Sequence, residues 1–369
     1  MNLKAGYPFS LIKNGLVTEY PRLEQDTRAD VVIMGGGISG ALTAWHLIKE
    51  NINCIVVDAR TIGLGSTCAS TSLLQYEIDT PLYRLAEMIG IKKAARSYHL
   101  CNEAIGKLIT IAGTIGFTDI EKKKSLYYAA AKKDVKDLKN ECKVRKEQGF
   151  AVRWLEENNL SDLIGIRSPG AILSDDAAQT DAYMFTHALY SDGLKKGLQV
   201  YDRTNITRID HKKKSVELFT RDGYSIKAKK LIYATGYEVV NYIDKPVVKL
   251  RSTYATISEP LTIEKPFWKN EMLIWNTADP YLYIRAMGNR VVVGGRDEDF
   301  YSPAKRDKLL RIKTRQLTAD LRKVLPGVPF IPEFSWTGTF GSTKDGLPYI
   351  GNYKQLPNSY FALGFGGNG

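Results

Sequence analysis

Residues Asp30–Trp45 read DVVIMGGGISGALTAW, an apolar run that three consecutive glycines interrupt before a helical pattern begins. These glycines exclude one continuous membrane-spanning helix, which needs about 20 apolar residues. The pattern predicts a β-strand over Asp30–Met34, a glycine turn and a helix over about Ser39–Glu50. A second apolar stretch, CIVVDA at Cys54–Ala59, predicts the next strand. Together they predict a β-α-β unit, with parallel strands joined by a right-handed crossover.

The glycines follow the spacing Gly35-x-Gly37-x-x-Gly40 at a junction from strand to helix, the context in which this spacing is informative. Gly35 permits a tight turn, Gly37 lets the backbone approach a pyrophosphate, and Gly40 allows close packing of helix on strand. The helix start offers N–H groups and a partial positive charge to phosphates. Asp58 ends the second strand where an acid receives ribose hydroxyls, which favours an unphosphorylated ribose. The alternative is a glycine-rich turn without a ligand; the agreeing features favour a dinucleotide cradle.

The composition is that of a globular protein large enough for two domains: 369 residues, 44% hydrophobic and 25% charged. Its opening, MNLKAGYPFSLIKNG, has no apolar stretch long enough for a secretory signal. We therefore expect a soluble, cytoplasmic protein without an integral membrane segment. Four cysteines and four histidines are scattered without metal-ligand spacing, so we predict no metal site.

The formal net charge of +12 raises the question of a nucleic-acid or anionic-membrane partner. Its densest source is Glu121–Gln148, where apolar residues recur at helical spacing between lysines. We interpret this stretch as an amphipathic helix with a solvated, lysine-rich face, and a polyanion site is the alternative. Because acidic residues are interleaved and no zinc-finger or RNP signature accompanies the charge, we expect no nucleic-acid partner.

The first β-α-β unit needs further strands, and the best candidates lie far away in the sequence. They are KLIYATG at Lys230–Gly236 and YFALG at Tyr360–Gly364. Residues 81–148 are predicted to be helical and residues 246–300 to form a largely antiparallel sheet. The predicted fold class is therefore α/β, with a Rossmann-like, mostly parallel nucleotide domain and an inserted α+β domain on a largely antiparallel sheet. The predicted boundaries are an N-terminal arm at 1–28, a nucleotide domain at 29–90, 171–245 and 335–369, and a substrate domain at 91–170 and 246–334.

Three further stretches are suited to close approach of a ligand. Gly65–Ser72 is a small, hydroxyl-rich loop that could cap a second phosphate, although a plain surface loop is the alternative. Leu231–Tyr237, LIYATGY, is an apolar strand that ends in a small-residue turn. Tyr360–Gly369, YFALGFGGNG, is a strand that runs into a second glycine loop. A helix should follow such a loop, so we expect the natural chain to continue beyond Gly369.

Four stretches resemble the FAD-dependent oxidoreductases of the D-amino-acid oxidase, glycine oxidase and sarcosine oxidase superfamily. They are DVVIMGGGISGALTAWHL, VVDARTIGLGSTCAS, LIYATGY and TKDGLPYIG…FALGFGGNG, in the family's order and at its intervals over nearly the whole chain. The resemblance implies non-covalent FAD, because no cysteine lies near the last motif and Ala69 stands where some relatives carry a linking histidine.

The resemblance also implies which residues contact FAD. They are Gly35, Gly37, Ile38, Ser39 and Gly40 at the pyrophosphate; Asp58, Ala59 and Arg60 at the ribose; Gly65, Ser66, Thr67, Ser70 and Thr71 along the phosphates and the flavin edge; Ile206 at the adenine; Ala234, Thr235 and Gly236 near the nucleotide; and Asp345, Gly346, Leu347, Gly364, Gly366, Gly367, Asn368 and Gly369 over the isoalloxazine.

Similar enzymes transfer a hydride from a carbon that bears nitrogen to the flavin N5, and the resulting imine hydrolyses in water. The cofactor does the difficult step, so no obligatory catalytic base is expected and we assign no catalytic residue.

Two positions depart from the family pattern. Glycine oxidase-like members bind the substrate carboxylate with an arginine after W-x-G, and this chain has Phe340 there, following Trp336-Thr337-Gly338-Thr339. A second arginine, in the last glycine loop, is replaced by Gly367. Because a bidentate guanidinium is the natural partner of a carboxylate, both changes weaken the case for a simple free amino acid as substrate. Phe340 becomes a candidate for the substrate pocket.

Another strand offers candidates for the pocket wall. Alternation in PYLYIRAMG places Tyr281, Tyr283 and Arg285 on one face. If this face looks toward the flavin, it forms an aromatic wall with one cation that could bind a carboxylate; a solvated outer face is the alternative. Tyr254 and Arg251, in KLRSTYATIS, are further candidates.

Three functional hypotheses follow. The leading one is an FAD-dependent oxidoreductase, either oxidase or dehydrogenase, that oxidises a C–N bond of a small amine or N-substituted amino acid and passes electrons to oxygen or to an acceptor protein. The second is a flavin dehydrogenase module that passes electrons to a fused or partner iron–sulfur domain. The third is a basic RNA-associated flavoprotein, whose signature is a steep salt dependence of RNA binding. The sequence makes no prediction of the oligomeric state.

Overall fold

The computed structural model describes residues 2–243, 246–363 and 366–367, and all structural statements below refer to them. They form eighteen β-strands and eight α-helices. The strands are β1 (Lys4–Gly6), β2 (Thr27–Met34), β3 (Cys54–Val57), β4 (Leu73–Gln75), β5 (Ile120–Tyr128), β6 (Val152–Glu156), β7 (Gly170–Thr180), β8 (Gln199–Tyr201), β9 (Ile206–His211), β10 (Val216–Thr220), β11 (Ser225–Tyr233), β12 (Lys249–Ser258), β13 (Leu273–Asn276), β14 (Leu282–Met287), β15 (Arg290–Asp299), β16 (Pro332–Ser342), β17 (Tyr349–Asn352) and β18 (Ser359–Leu363). The helices are α1 (Phe9–Asn14), α2 (Ile38–Lys49), α3 (Leu82–Ile89), α4 (Ile91–Thr114), α5 (Val135–Glu147), α6 (Glu157–Ile164), α7 (Ala182–Lys195) and α8 (Pro303–Val324).

The first sheet, here called the nucleotide sheet, has the strand order β17-β18-β11-β2-β3-β8, with β10 and β9 continuing from β11. Strands β18, β11, β2, β3 and β8 run parallel. Strand β3 is buried along its whole length, which explains its continuous apolar sequence. The two remote stretches join this sheet as predicted, since Tyr233 of β11 pairs with Met34 of β2 and with Phe361 of β18.

The second sheet, here called the large sheet, has the order β1-β16-β12-β15-β14-β13-β5-β7-β4, with β6 beside β7. It is antiparallel except where β13 and β5 run parallel. One face packs on α8 through a core that includes Ile284, Leu317 and Leu321. The opposite face meets the loop after β3, where the Trp336 indole donates a hydrogen bond to the Ala69 carbonyl at 2.8 Å. The α/β fold with a parallel nucleotide sheet and a largely antiparallel second sheet is confirmed.

The structure corrects two predictions of local structure. The lysine-rich stretch is not helical throughout, because Ile120–Tyr128 forms β5 between β13 and β7. Burial of its last four residues and the ion pair of the buried Lys123 with Glu121 (2.7 Å) suit it to the sheet interior. The expected helix is confined to α5. Within the N-terminal arm, β1 pairs with β16, so this segment is not irregular.

Sheet membership does not follow the predicted domain segments everywhere. Strands β4, β7 and β16 fall wholly or largely in stretches predicted for the nucleotide domain, yet they pair in the large sheet. The domain boundaries therefore stay a prediction. In the described part of the chain, no helix combines the length and the apolar composition that a membrane span needs.

A buried ion triad fixes the segment that leads into α3. The Arg145 guanidinium contacts Glu141 at 2.6 Å and Glu77 at 3.1 Å, and all three side chains are about 1% exposed. The Glu141 carboxylate also accepts the backbone N–H groups of Leu82 (2.9 Å) and Tyr83 (3.0 Å), at the start of α3. Burial raises the pKa of Glu77, and the Arg145 charge opposes this shift. The triad thus joins α5 to the loop that precedes α3.

Replacing Arg145 by Met should destabilise the protein strongly, because it leaves two buried carboxylates without their cation. We expect a loss of about 3–5 kcal/mol in the free energy of unfolding, measured by urea denaturation. The matched control is Arg96→Met, which removes an exposed pair with Glu103 and should change stability by less than about 0.5–1 kcal/mol. Equal effects of the two substitutions would contradict a structural role for the triad.

Candidate active site

The glycine turn brings three backbone segments into contact. Gly35 has φ of +117°, its N–H donates to Val57 O at 2.8 Å, and a side chain there would collide with the Ala234 carbonyl. A side chain at Gly40 would collide with the Gly35 carbonyl. The turn, the first turn of α2 and the end of β11 therefore pack without intervening side chains, and Thr235 and Gly236 follow directly.

Asp58 ties the end of β3 to this turn. Its Oδ2 accepts the N–H of Gly36 and its Oδ1 accepts the N–H of Arg60, both at 2.7 Å. Burial raises the pKa of Asp58, and the two N–H groups oppose the shift. The Asp58 carbonyl accepts the N–H of Thr204 at 2.8 Å, which brings the start of β9, at Ile206, to the same end of the sheet.

Arg60, two residues beyond Asp58, forms a bidentate pair with Glu238 at 2.7 and 2.8 Å. Glu238 belongs to the short 3₁₀ helix Gly236–Asn241 that follows β11. The predicted ribose segment, including Ala59, and the predicted nucleotide segment after β11 are therefore brought together.

The start of α2 and the hydroxyl-rich loop face each other. The N-cap residue is Gly37, which has no side chain to cap the first turn, and Thr67 Oγ1 accepts the N–H of Ile38 at 3.1 Å. Two hydroxyls, Ser66 Oγ and Thr235 Oγ1, are shielded from solvent and have no hydrogen-bond partner in the described part of the chain. A shielded, unpaired hydroxyl is costly, so these two atoms indicate a polar ligand.

An inner cavity of about 140 Å³ lies between this loop and the large sheet. On the loop side it is lined by Ser66, Ala69, Ser70, Thr71, Ser72, Leu73 and Gln75; on the sheet side by Tyr237, Thr253, Tyr281, Tyr283, Asp297, Gly338, Thr339 and Phe340; and at one end by Gly366 and Gly367. Among these residues there is no arginine, lysine or histidine.

An outer cleft of about 510 Å³ adjoins the inner cavity and shares Tyr281, Asp297 and Phe340 with it. Its lining is rich in charge. The charged residues are Asp79, Arg84, Lys133, Asp134, Asp137, Glu141, Arg251, Asp279 and Asp297. Arg251, a sequence candidate, lies here and not in the inner cavity.

Three of the six predicted pocket residues, Tyr281, Tyr283 and Phe340, line the inner cavity. Arg285 does not, although it shares a strand face with Tyr283. It is 3% exposed, its Nε has no hydrogen-bond partner among the described residues, and burial lowers its pKa to about 10. The prediction that Arg285 could clamp a substrate carboxylate in this cavity is not supported, because strand alternation fixes a face but not the position along it.

Tyr254 lies on the opposite face of the large sheet. Its ring belongs to the core beneath α8, and its hydroxyl donates to the Arg306 carbonyl at 3.4 Å. The structure therefore does not bring Tyr254 to the pocket. Thr253, its neighbour in β12, takes that place.

Sequence reasoning missed Asp297, because a β-bulge changes the alternation of β15. Ser252 pairs with Glu298 and Tyr254 with Gly295, so that Thr253 alone opposes two residues, Arg296 and Asp297. Arg296 has φ of +58°. Its guanidinium turns to α8, where it contacts the Asp320 carboxylate twice at 2.7 Å, and Asp297 lines the cavity instead. Consecutive glycines at 294 and 295 inside a strand are the signal that could have indicated a bulge.

The environment of Asp297 is unusual for a carboxylate. Its Oδ1 is shielded from solvent and has no hydrogen-bond partner among the described residues. Burial raises the pKa of Asp297 to about 7; the Thr253 side chain and Arg251 oppose this, and Asp79 adds to it. Near neutral pH this group can therefore be either charged or neutral.

The predicted isoalloxazine segments gather around a loop that the sequence did not single out. The Gly367 N–H donates to Asp79 Oδ2 at 2.9 Å, and Gly366 lies against the same carboxylate. Gly346 packs on Thr80, between Asp345 and Leu347, whose N–H donates to Asp345 Oδ1 at 3.1 Å. Gly364, Asn368 and Gly369, also predicted to contact FAD, lie outside the described residues. Gly65 and Ser39 lie in the loop and in the first turn of α2, respectively.

Residues 30–369 match the family model DAO, FAD dependent oxidoreductase, and the chain belongs to this family. A Bacillus subtilis (strain 168) protein provisionally named Rieske 2Fe-2S iron-sulfur protein YhfW is 26% identical over 358 residues, and the alignment covers 94% of this chain. The chain spans 66% of that relative's length. Glycine oxidase of Geobacillus kaustophilus (strain HTA426) is 23% identical over 354 residues, which are 93% of this chain and 89% of that protein.

Solved structures show the same fold. L-proline dehydrogenase from P. horikoshii superposes with a TM-score of 0.76 at 18% identity, covering 93% of this chain and 90% of that one. Glycine oxidase from Geobacillus kaustophilus gives 0.73 at 20% identity with the same coverage. The predicted family, the FAD dependence and the class of enzyme, an FAD-dependent oxidoreductase, are confirmed.

Replacing Asp58 by Ala should weaken FAD binding by on the order of 10- to 100-fold, because it removes a charged hydrogen-bond acceptor and frees the N–H of Gly36. The dissociation constant is measured by titrating FAD into the stripped protein and following flavin fluorescence. The control is Asp210→Ala, which removes an exposed acid of the same sheet that pairs with Arg208. Unchanged FAD affinity in the Asp58 variant would remove this carboxylate from the cofactor site.

Replacing Asp297 by Asn should stabilise the protein most above pH 7. The folded state raises the pKa of this carboxyl to about 7, from about 3.9 in an unfolded chain. The folded protein therefore binds the proton more tightly, and the charged form destabilises it above pH 7, a penalty that shrinks as the pH falls from 7 toward 4. We expect the Tm of the variant to exceed that of the natural protein more at pH 8 than at pH 5. Equal differences at the two pH values would contradict the raised pKa.

Proposed function

We propose that this chain oxidises a C–N bond of a small amine or N-substituted amino acid, with FAD bound non-covalently. The observation that carries the proposal is the inner cavity, which has a hydroxyl-rich loop on one side and the aromatic wall of Tyr281, Tyr283 and Phe340 on the other. Bound FAD supplies a hydride acceptor at N5 of its ring. The residues of the chain bind and orient the cofactor and the substrate.

The residues around the glycine turn fit the cofactor. The start of α2, whose N-cap Gly37 has no side chain, suits the pyrophosphate, and Asp58 suits the ribose. The hydroxyls of Ser66 and Thr235, which have no partner among the described residues, offer further polar contacts. We propose that Ile206 and residues 234–236 contact the nucleotide, and that the loop at 65–71 with residues 345–347 and 366–367 holds the ring system.

The chain's own cysteine nearest the loop is poorly suited to a covalent flavin link. Cys68 is buried, its Sγ donates to the Gly65 carbonyl at 3.6 Å, and burial raises the pKa of its thiol to about 11. Because the thiolate is the reactive form, this thiol is unreactive near neutral pH. Ala69 beside it has no group that could form a link.

The lining of the inner cavity favours an amine over a simple free amino acid. A substrate carboxylate in this cavity would meet Asp297 and aromatic rings instead of a guanidinium. Phe340 occupies the place where glycine oxidase-like members carry their arginine. The aromatic wall restricts how a small substrate can turn in the cavity.

A second candidate is the same reaction in a module that passes its electrons to an iron–sulfur domain. It is supported by the Bacillus subtilis relative provisionally named Rieske 2Fe-2S iron-sulfur protein YhfW, of whose length this chain spans 66%. The two candidate functions differ in the electron acceptor. In the first candidate oxygen or a soluble acceptor reoxidises the flavin, and in the second an iron–sulfur centre does so.

Anaerobic mixing with a panel of compounds tests the reaction. Secondary amines and N-methyl amino acids should bleach the flavin absorption of the purified protein, because each has a C–H bond beside a nitrogen. The matched panel of 2-hydroxy acids and polyols of similar size should not bleach it. Bleaching by the hydroxy compounds alone would contradict oxidation of C–N bonds. Readmitting oxygen, or adding an iron–sulfur protein without oxygen, then shows which acceptor returns the absorption.

A further inference from the structure

We propose that Asp297, with the tyrosines around it, is the binding site for the cationic nitrogen of the substrate. The substrate class is then a cationic amine recognised by its ammonium group, and the carboxylate of an N-substituted amino acid is kept outside the inner cavity. This proposal rests on the amine-oxidising function proposed above, and it adds the residue that selects the substrate.

The bulge in β15 places a single acid in an otherwise uncharged cavity. Regular alternation would place Arg296 on the cavity side with Gly294, but the bulge turns Arg296 to Asp320 on α8 and presents Asp297. Asp297 is the one ionisable carboxyl in the described lining of the inner cavity. Its neighbour Glu298 lies on the α8 side, where it pairs with Lys313. Of the three consecutive acids of β15, Asp297, Glu298 and Asp299, only Asp297 lines the inner cavity in the described part of the chain.

Aromatic side chains line the cavity with this acid. Tyr281 and Tyr283 lie with ring centroids 6.0 Å apart and planes inclined by 52°, and Phe340 and Tyr237 complete the lining. Tyr283 packs closely over Gly294, where a side chain would collide with its ring. Ring faces attract cations, and several rings around one carboxylate are a typical way to bind an ammonium group. The same arrangement repels anions, which gives selectivity against carboxylates.

The charges that face Asp297 leave it without a neutralising partner. Arg251 of β12 lies 3.7 Å from Asp299, and Lys313 of α8 pairs with Glu298. Asp79, on the loop before α3, adds negative potential while it accepts the N–H of Gly367. Asp297 Oδ1, shielded and without a hydrogen bond from the described residues, is therefore an unused acceptor for a donor or cation. A bound ammonium group would supply the missing charge.

The test measures equilibrium binding of ligands that the flavin cannot oxidise. None of these ligands has a nitrogen with a free lone pair, which hydride loss from a neighbouring carbon requires. The FAD-loaded protein is titrated with tetramethylammonium, with the neutral tert-butanol of similar size and with acetate, and binding is followed by calorimetry and by the shift of the flavin absorption. We expect tetramethylammonium to bind most tightly. Its affinity should rise about 10-fold from pH 6 to pH 8, because Asp297 ionises in that range while the ligand charge does not change.

Asp297→Asn should weaken tetramethylammonium binding at pH 8 by on the order of 10- to 100-fold and abolish its pH dependence. Glu298→Gln removes the adjacent charge on the other face of the strand and should leave affinity and pH dependence unchanged. Asp297→Glu keeps the charge and should retain most of the affinity, which separates loss of the acid from loss of fold. Thermal unfolding of each variant confirms that it is folded.

Unchanged affinity in Asp297→Asn, a pH-independent affinity of the natural protein, or tighter binding of acetate would overturn the proposal. Because binding is measured without turnover, its failure is distinct from failure of the proposed function. Tetramethylammonium binding that depends on Asp297, with no bleaching by any amine, would reject amine oxidation and retain the cation site. Bleaching by amines, together with tetramethylammonium binding that does not depend on Asp297, would retain amine oxidation and reject the cation site.

Discussion

The fold depends on a place where three backbone segments touch without side chains between them. Gly35 lies against the Ala234 carbonyl, and Gly40 lies against the Gly35 carbonyl, so the end of β2, the start of α2 and the end of β11 meet at one point. Any Cβ at these two glycines would separate them. This contact allows a strand almost 200 residues away in the chain to complete the sheet beside β2, and it leaves the start of α2 open beside Asp58 and Thr67. The proposed cofactor site is a consequence of that close approach.

The side of the inner cavity formed by the large sheet depends on a different kind of feature, an irregularity in that sheet. The bulge at Arg296–Asp297 changes which residue of β15 faces the loop. It does so at the cost of holding a shielded acid whose Oδ1 receives no hydrogen bond from the part of the chain that the structure describes. Such a cost is typical of functional sites, where a group is kept ready for a ligand at the expense of stability. The indole of Trp336, bonded to the Ala69 carbonyl, holds the loop against this face, so that the cofactor side and the acid share one cavity.

Much of the fold could be predicted because buried parallel strands have continuous apolar sequences and the glycine spacing has few other uses. Alternation also placed Tyr281 and Tyr283 on one face. Alternation could not predict that Tyr254 faces α8. Which alternate residues of β12 face the cavity is set by the pairing of β12 with β16. It placed Arg285 on the same face as Tyr283, but Arg285 lies outside the cavity lining. It missed Asp297 because the bulge in β15 reverses which alternate residues face the cavity. The lysines of β5 concealed a strand, since their charges are satisfied by pairs such as Lys124–Asp175, which the pairing of β5 with β7 brings together.

The central claim is that this chain holds FAD, without a covalent bond, at the junction of the two sheets. The most direct measurement is the visible absorption spectrum of the purified protein, taken before and after acid precipitation. We predict flavin bands in the native protein and their complete transfer to the supernatant, where the released compound is FAD. Flavin bands that stay with the precipitate would contradict non-covalent binding. A colourless protein that takes up no added FAD would contradict the assignment of the glycine turn to this cofactor.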